Sequence, residues 1–268
     1  MRAFDITEAL PDGPMLLEAS AGTGKTWTIA GLAARFVGEA GLPIRELLLI
    51  TFSNAAALEL RGRVYRRFEA IAEALAACID GQARSLDDPV AKLLAHEARP
   101  ETCLARLRSA LNDFGTATIA TIHSFCQTQL ESLGVLGDWD GSEAIAADVS
   151  ALVRQCATDE YLARFLAEPQ PPVDARRALQ VALAAAPSRL PFAAADPEQL
   201  SYHEAVRARF DQRRRQLGLV SFDDLPGRLL RLVNDADIGG QVCDELRSRF
   251  PVVLVDEFQD TDPEQWAI

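Results

Sequence analysis

At 268 residues, 49% of them apolar, the chain is long enough to build one large domain or two modest ones around a buried core. Its formal charge of −12 argues against a general polyanion binder, because nonspecific affinity for nucleic acid rests on neutralising phosphates. Five cysteines, scattered without a C-x-x-C pair, provide neither a disulfide framework nor a zinc site and suit a reducing, cytoplasmic setting; no run approaches the ~18 apolar residues of a membrane span.

Taken in order, the segment before Ala19 predicts a buried strand over Met15–Leu17. Ala19-Ser20-Ala21-Gly22-Thr23-Gly24-Lys25-Thr26 then reads as a phosphate-binding P-loop that opens a helix. Successive N–H groups of such a loop turn inward around a phosphate, the lysine reaches the terminal phosphates and the hydroxyl of Thr26 is placed to ligate Mg²⁺. Ala19 stands where the strict pattern has its first glycine. Lys25 is one of only two lysines in the chain, the rest of the 27 basic residues being arginine.

Beyond the P-loop an amphipathic helix runs to Gly38. The nearly continuous apolar run over residues 46–52 predicts a parallel strand covered on both faces, followed by a long helix, capped at Ser53 or Asn54 and reaching about Ala77. Residues 80–100 read as a surface insertion, and residues 101–111 as a helix. A third strand over residues 116–122 runs into a helix start at His123. From about Val135 to Arg215 the chain is Ala-rich and helical without a strong strand, an inserted helical subdomain. The α/β pattern resumes near Leu219, and the last strand, Val252–Val255, runs directly into Asp256-Glu257-Phe258-Gln259-Asp260. The expected organisation is therefore residues 1–134, the helical insertion 135–215, and residues 216–268 returning to the first domain.

Four apolar residues followed by paired carboxylates form a Walker B element at the carboxyl end of a parallel strand, where open α/β sheets bind ligands. Mg²⁺ takes hard oxygen ligands and keeps most of its waters, so Asp256 and Thr26 with phosphate oxygens make a sufficient set. Glu257, next in sequence, is placed to orient and deprotonate an attacking water. Arg61, Arg63, Arg66 and Arg67 form a basic cluster that reads either as a solvated helix face or as a phosphate contact. His123 likewise reads as a cap or packed side chain, or as a contact to a ligand. Asp223 and Asp224 read as a helix-capping and coupling motif.

The P-loop, Thr51-Phe52-Ser53-Asn54-Ala55-Ala56, Thr121-Ile122-His123-Ser124-Phe125, Ser221 to Leu225 and Val255 to Asp262 together resemble the ordered motifs of UvrD/Rep-like superfamily 1 DNA helicases, with wording most similar to the RecB-like branch, the exodeoxyribonuclease V beta subunits. The resemblance implies an α/β fold: a RecA-like P-loop NTPase domain with a parallel sheet, interrupted by the mostly helical insertion. It implies ATP and Mg²⁺ at Ala19–Thr26 and Asp256, catalysis by Lys25, Glu257 and Gln259, the last sensing the γ-phosphate, and single-stranded DNA held by Thr51, Phe52, Ser53, Asn54, Thr121 and His123, with Arg61 and Arg63 continuing from the first DNA segment. Hydroxyls, amides and helix N-termini hold phosphates without bulk positive charge.

The family uses a second RecA-like domain to supply an arginine finger, and the chain stops at Ile268, just past Walker B. The sequence therefore predicts an N-terminal fragment of a 3′–5′ helicase subunit that binds ATP without unwinding DNA alone, acts at DNA ends in double-strand-break repair with RecC- and RecD-like partners, and has no membrane association. The competing expectations are a non-catalytic DNA-binding or assembly fragment, and a fragment of an AddA- or UvrD-type helicase.

Overall fold

The structure, a computed structural model, describes residues 4–18, 24–82, 86–134, 144–146, 148–186, 197–222 and 224–268. They fall in two compact units, Met1–Phe125 with Leu230–Ile268, and Cys126–Leu229.

In the first unit α1 (Lys25–Gly38) opens directly after Gly24, whose φ of 92° lies in the left-handed region that favours glycine, and no side chain caps it. β1 (Leu47–Thr51) is buried along its whole length, as a strand covered on both faces must be. Ser53 caps α2 (Asn54–Ile79), its hydroxyl accepting from Ala56 N at 3.1 Å. Leu60, Val64, Phe68, Ile71 and Leu75 recur at helical spacing and bury one face of α2. α3 (Pro89–Ala95), α4 (Pro100–Asn112) and β2 (Thr118–Thr121) follow, and α5 (Ile122–Leu133) starts directly after β2.

The expected surface insertion over residues 80–100 is corrected by α3. Val90, Ala91 and Leu94 are fully buried in the same core as Phe68, Leu75 and Leu107. Two turns of helix bring those three side chains to one face, a pattern too short to stand out among the polar residues around it.

The second unit contains β3 (Ala144–Ala146), α6 (Ser150–Phe165), α7 (Ala175–Ala185), α8 (Pro197–Gln216) and β4 (Leu219–Ser221). Val153, Ala157, Phe165, Tyr202, Val206 and Phe210 form its core, and the Tyr202 hydroxyl donates to Ala157 O at 2.8 Å. β3 pairs in parallel with β4, a three-residue strand inside the region expected to hold no strong one. Asp224 opens α9 (Asp224–Val233), accepts from Ser221 N at 3.0 Å and Ser221 Oγ at 2.7 Å, and pairs with Arg214. Asp223 lies outside the described residues.

The first unit closes with α10 (Gly239–Arg249), β5 (Val252–Val255) and α11 (Pro263–Trp266). Its sheet has the order β2-β1-β5, parallel throughout, with Leu49 in register with Ile119 on one side and Leu254 on the other. The strand expected at Met15–Leu17 does not form: residues 14–18 have no regular structure and Leu16 is 67% exposed. Apolar side chains make a strand only where a neighbour pairs the backbone, and among the described residues none does so there. The segment just before it is nevertheless tied down. Arg35, buried within α1, donates to Ile6 O at 2.7 Å and pairs with Glu39 at 2.7 Å.

Candidate nucleotide site

Three segments far apart in sequence end side by side. Thr51 is in register with Thr121 and Ile50 with Val255, and Asp256 N donates to Ile50 O at 2.8 Å, extending the ladder by one bond. Thr51, Thr121 and Asp256 therefore share the carboxyl edge of one parallel sheet, the edge at which open α/β sheets bind ligands.

Immediately after Asp256 the backbone turns sharply. Glu257 has φ 53° and ψ 43°, the one described non-glycine residue with a positive φ, a conformation that is costly outside glycine and is retained where the surroundings enforce it. The turn brings Glu257 Oε2 within 3.4 Å of Lys25 Nζ, and Gln259 Nε2 donates to the same oxygen. Gln259 first, and then Lys25, hold the Glu257 carboxyl below the usual range, keeping it ionised and acceptor-only. Asp256 is shifted the opposite way. Burial raises its carboxyl and the Glu257 charge adds to this, against the Glu257 N–H, Lys25 and Arg63. Two adjacent carboxylates thus differ in character, one partly desolvated and the other anchored by donors.

Ala19, Ser20, Ala21, Gly22 and Thr23 of the expected P-loop lie outside the described residues. Gly24, Lys25 and Thr26 are described: Gly24 opens α1, and Lys25 and Thr26 occupy its first turn, half-buried. An uncapped helix N-terminus with a lysine beside it suits an anion. Among the described residues no group of three or more His, Cys, Asp or Glu side chains could hold a metal. Mg²⁺ takes few protein oxygens and draws the rest from water and ligand, so a site for it requires no such cluster.

The expected DNA segment divides by exposure. Phe52 is 66% exposed, and Ser53 and Asn54 are exposed beside it at the start of α2. The Thr51 hydroxyl is buried and has no hydrogen-bond partner among the described residues. Thr121 Oγ1 accepts from Ser124 N at 3.2 Å and donates to Ser124 Oγ at 3.0 Å, which closes the β2-to-α5 turn, with His123 half-buried within it. Arg61 and Arg63 separate clearly. Arg61 donates to Ala117 O at 2.9 Å and Phe114 O at 3.5 Å, whereas exposed Arg63 pairs along the helix with Glu59. A groove of about 290 Å³ runs beside the carboxylates, lined by Thr51, Phe52, Phe125, Val255, Asp256 and Trp266 among others. The positive φ of Glu257 and the burial of Arg35 carried no sequence signal; the stacking of Trp27 under Arg67 carried only a faint one, two large side chains on neighbouring helices.

Comparison with known proteins decides the family. The model of the UvrD/REP helicase N-terminal domain matches residues 4–268. The chain belongs to the UvrD/REP helicase N-terminal domain family. This helicase domain is 37% identical over its whole length to the RecBCD enzyme subunit RecB of Mycolicibacterium smegmatis and 40% identical to that of Mycobacterium tuberculosis, covering 25% of each. It is 25% identical over 95% of its length to the ATP-dependent DNA helicase UvrD1 of Mycobacterium leprae, covering 28% of that protein. The helicase domain thus spans about a quarter of the length of the relatives it matches, and no described helix is long and apolar enough to cross a membrane.

Proposed function

We propose that the chain is the ATP-binding motor domain of a RecB-like 3′–5′ DNA helicase, working on DNA ends in double-strand-break repair as part of an assembly of the RecBCD type, with RecC- and RecD-like partners. The observation that carries this is the meeting of Lys25 with Glu257 and Gln259 at the carboxyl edge of the sheet, directly after Asp256. In this reading residues 19–26 hold the phosphates of ATP, Lys25 neutralises the terminal one, and Asp256 and Thr26 hold Mg²⁺. Bound there, Mg²⁺ supplies charge neutralisation at the β- and γ-phosphoryl oxygens. Glu257, kept ionised, accepts the proton of the attacking water, and Gln259 holds the carboxylate in place and passes its displacement on to the chain that follows. Phe52, Ser53, Asn54, His123 and Arg63 face single-stranded DNA, with buried Thr51 and Thr121, and Arg61, supporting that surface.

Titration with a fluorescent ATP analogue, together with phosphate release with and without single-stranded DNA, tests the reading. Saturable binding that Lys25→Ala abolishes supports it. Absence of nucleotide binding overturns it.

A further inference from the structure

The N-cap of α1 is Gly24, and no side chain of the described residues caps the first turn, which leaves packing to help hold it. Its third residue, Trp27, is 44% exposed, and the Arg67 guanidinium lies over the indole, 4.3 Å from the ring centroid. Arg67 comes from α2 and is itself held, because it pairs with Asp88. Asp88 is committed at both oxygens: Oδ1 accepts from Val90 N at 2.9 Å and Ala91 N at 3.0 Å, capping α3, while Oδ2 takes the arginine. The Arg67 side chain is 11% exposed, and its Nε and Nη2 are buried without a hydrogen-bond partner among the described residues.

Burying a guanidinium with two donors unmatched is costly, and packing alone does not call for it. A methionine or leucine would fill the same space between three helices without that cost. What arginine adds is a flat, charged face against an aromatic ring. Helical side chains lean toward the helix N-terminus, and Trp27 stands in the same first turn of α1 as Lys25 and Thr26. A Cβ placed on Gly24 would lie 4.0 Å from Trp27 Cβ.

From these contacts we infer that Arg67 is a positioning residue for the phosphate-binding turn: clamped by Asp88, it fixes Trp27 and through it the first turn of α1, which carries Lys25 and Thr26. The inference rests on the nucleotide-binding reading of that turn. It also gives α3 a function, since the cap of α3 is the counterion of the clamp. Because α2 begins at Asn54, the same arginine connects the nucleotide turn to the helix that starts at the proposed DNA segment.

The test is a titration of the parent chain and of Arg67→Ala, Arg67→Lys and Asp88→Asn, each shown by circular dichroism to be folded, with a fluorescent Mg-ATP analogue and with inorganic triphosphate as competitor. Both Arg67 variants are expected to bind nucleotide about tenfold more weakly, lysine failing to rescue because it keeps the charge and stem but not the planar face. Asp88→Asn is expected to fall between them and the parent. Inorganic triphosphate should lose the same factor as the nucleotide, because the effect is on the phosphate turn and not on a base contact. A folded Arg67→Lys binding within about twofold of the parent overturns the inference while leaving the nucleotide reading intact. A parent that binds no nucleotide removes both. Should the Arg67 variants not fold, Trp139→Phe/Trp266→Phe leaves Trp27 as the sole indole with Arg67 in place. Its emission should shift on binding Mg-ATP or triphosphate, and emission unchanged at saturation overturns the inference.

Discussion

Lys25 and Glu257 stand 232 positions apart in sequence, yet Lys25 Nζ lies 3.4 Å from Glu257 Oε2 with Gln259 on the same oxygen. The contact joins the two motifs that flank the chain and separates their roles. In the proposed reading Lys25 is a charge on the phosphate side, and Glu257 a base on the water side. Glu257→Gln is expected to keep nucleotide affinity while lowering DNA-stimulated phosphate release by about 10²–10⁴. Lys25→Ala should lose binding itself. Paired measurements of analogue binding and phosphate release distinguish the two, and a Glu257→Gln chain that hydrolyses normally would remove Glu257 from the chemistry.

Asp256 makes the nucleotide-free chain less stable than it need be. Burial raises its carboxyl above the ordinary value of 3.8, so ionising it opposes folding. The penalty is fully developed above the raised value and disappears as pH falls below the ordinary one, where the group is protonated folded and unfolded alike. Asp256→Asn should therefore raise the melting midpoint at pH 7, by a small amount because solvent screens a half-buried group. The advantage should shrink toward about pH 4, near the unperturbed carboxylate value. The variant should also lose the added stability that Mg-ATP confers on the parent. Thermal melts at the two pH values check the sign.

Local pattern and long-range pairing account for what could be read in the sequence. β1 was legible because a parallel strand buried on both faces is an apolar run, β5 because four consecutive apolar residues lead into paired carboxylates although Val253 and Val255 are exposed at the sheet edge, and the long α2 because its apolar residues keep helical spacing behind a Ser cap. The placement of Asp256 and Glu257 directly after β5, and of Lys25 at the start of α1, was legible through spacing around those elements. Met15–Leu17 misled because its apolar triplet has no paired neighbour, information that no local pattern contains. β3 was missed because three residues are too few to show alternation, and its pairing with β4 spans more than 70 positions. The left-handed turn at Glu257 was illegible because glutamate carries no signal for positive φ. The residues from Ala19 to Thr23, where the motif is most informative, lie outside those described.

α3 should behave as core. Leu94 is fully buried beside Gly38, where an added Cβ would meet Leu94 Cδ1 at 3.1 Å. Leu94→Ala is expected to cost about 2–4 kcal/mol, the range for deleting a buried leucine whose cavity only partly collapses. Urea unfolding followed by circular dichroism measures it. A loss below about 0.5 kcal/mol, the size of a surface effect, would return α3 to the status of a surface insertion.

Arg61 and Arg63, two residues apart on α2, should separate stability from DNA binding. Arg61 holds two backbone carbonyls beside β2, so Arg61→Ala is expected to cost about 1–2 kcal/mol of stability. Arg63 is exposed and its ion pair among the described residues is with Glu59 on the same helix, so Arg63→Ala should change stability by less than about 0.5 kcal/mol. If Arg63 contacts a phosphate, its loss lowers the slope of log affinity against log salt for single-stranded DNA by about 0.7. An unchanged slope would confine Arg63 to its pair with Glu59.

Phe52 tests whether the groove beside the carboxylates takes bases. A phenylalanine 66% exposed at the mouth of a sheet edge contributes little to the core, but its ring offers a face to any unstacked base. Phe52→Ala should leave the melting midpoint unchanged and weaken binding of a labelled oligothymidine by about 1–3 kcal/mol, the value of one base–aromatic stack. Fluorescence anisotropy at low salt measures this, and the stacking share should persist as salt is raised while the phosphate share falls. A Phe52→Ala chain that binds the oligonucleotide as well as the parent but melts earlier would make Phe52 a packing partner of Val255 and Trp266 along the groove, and DNA contact would then rest on Ser53, Asn54 and Arg63 alone.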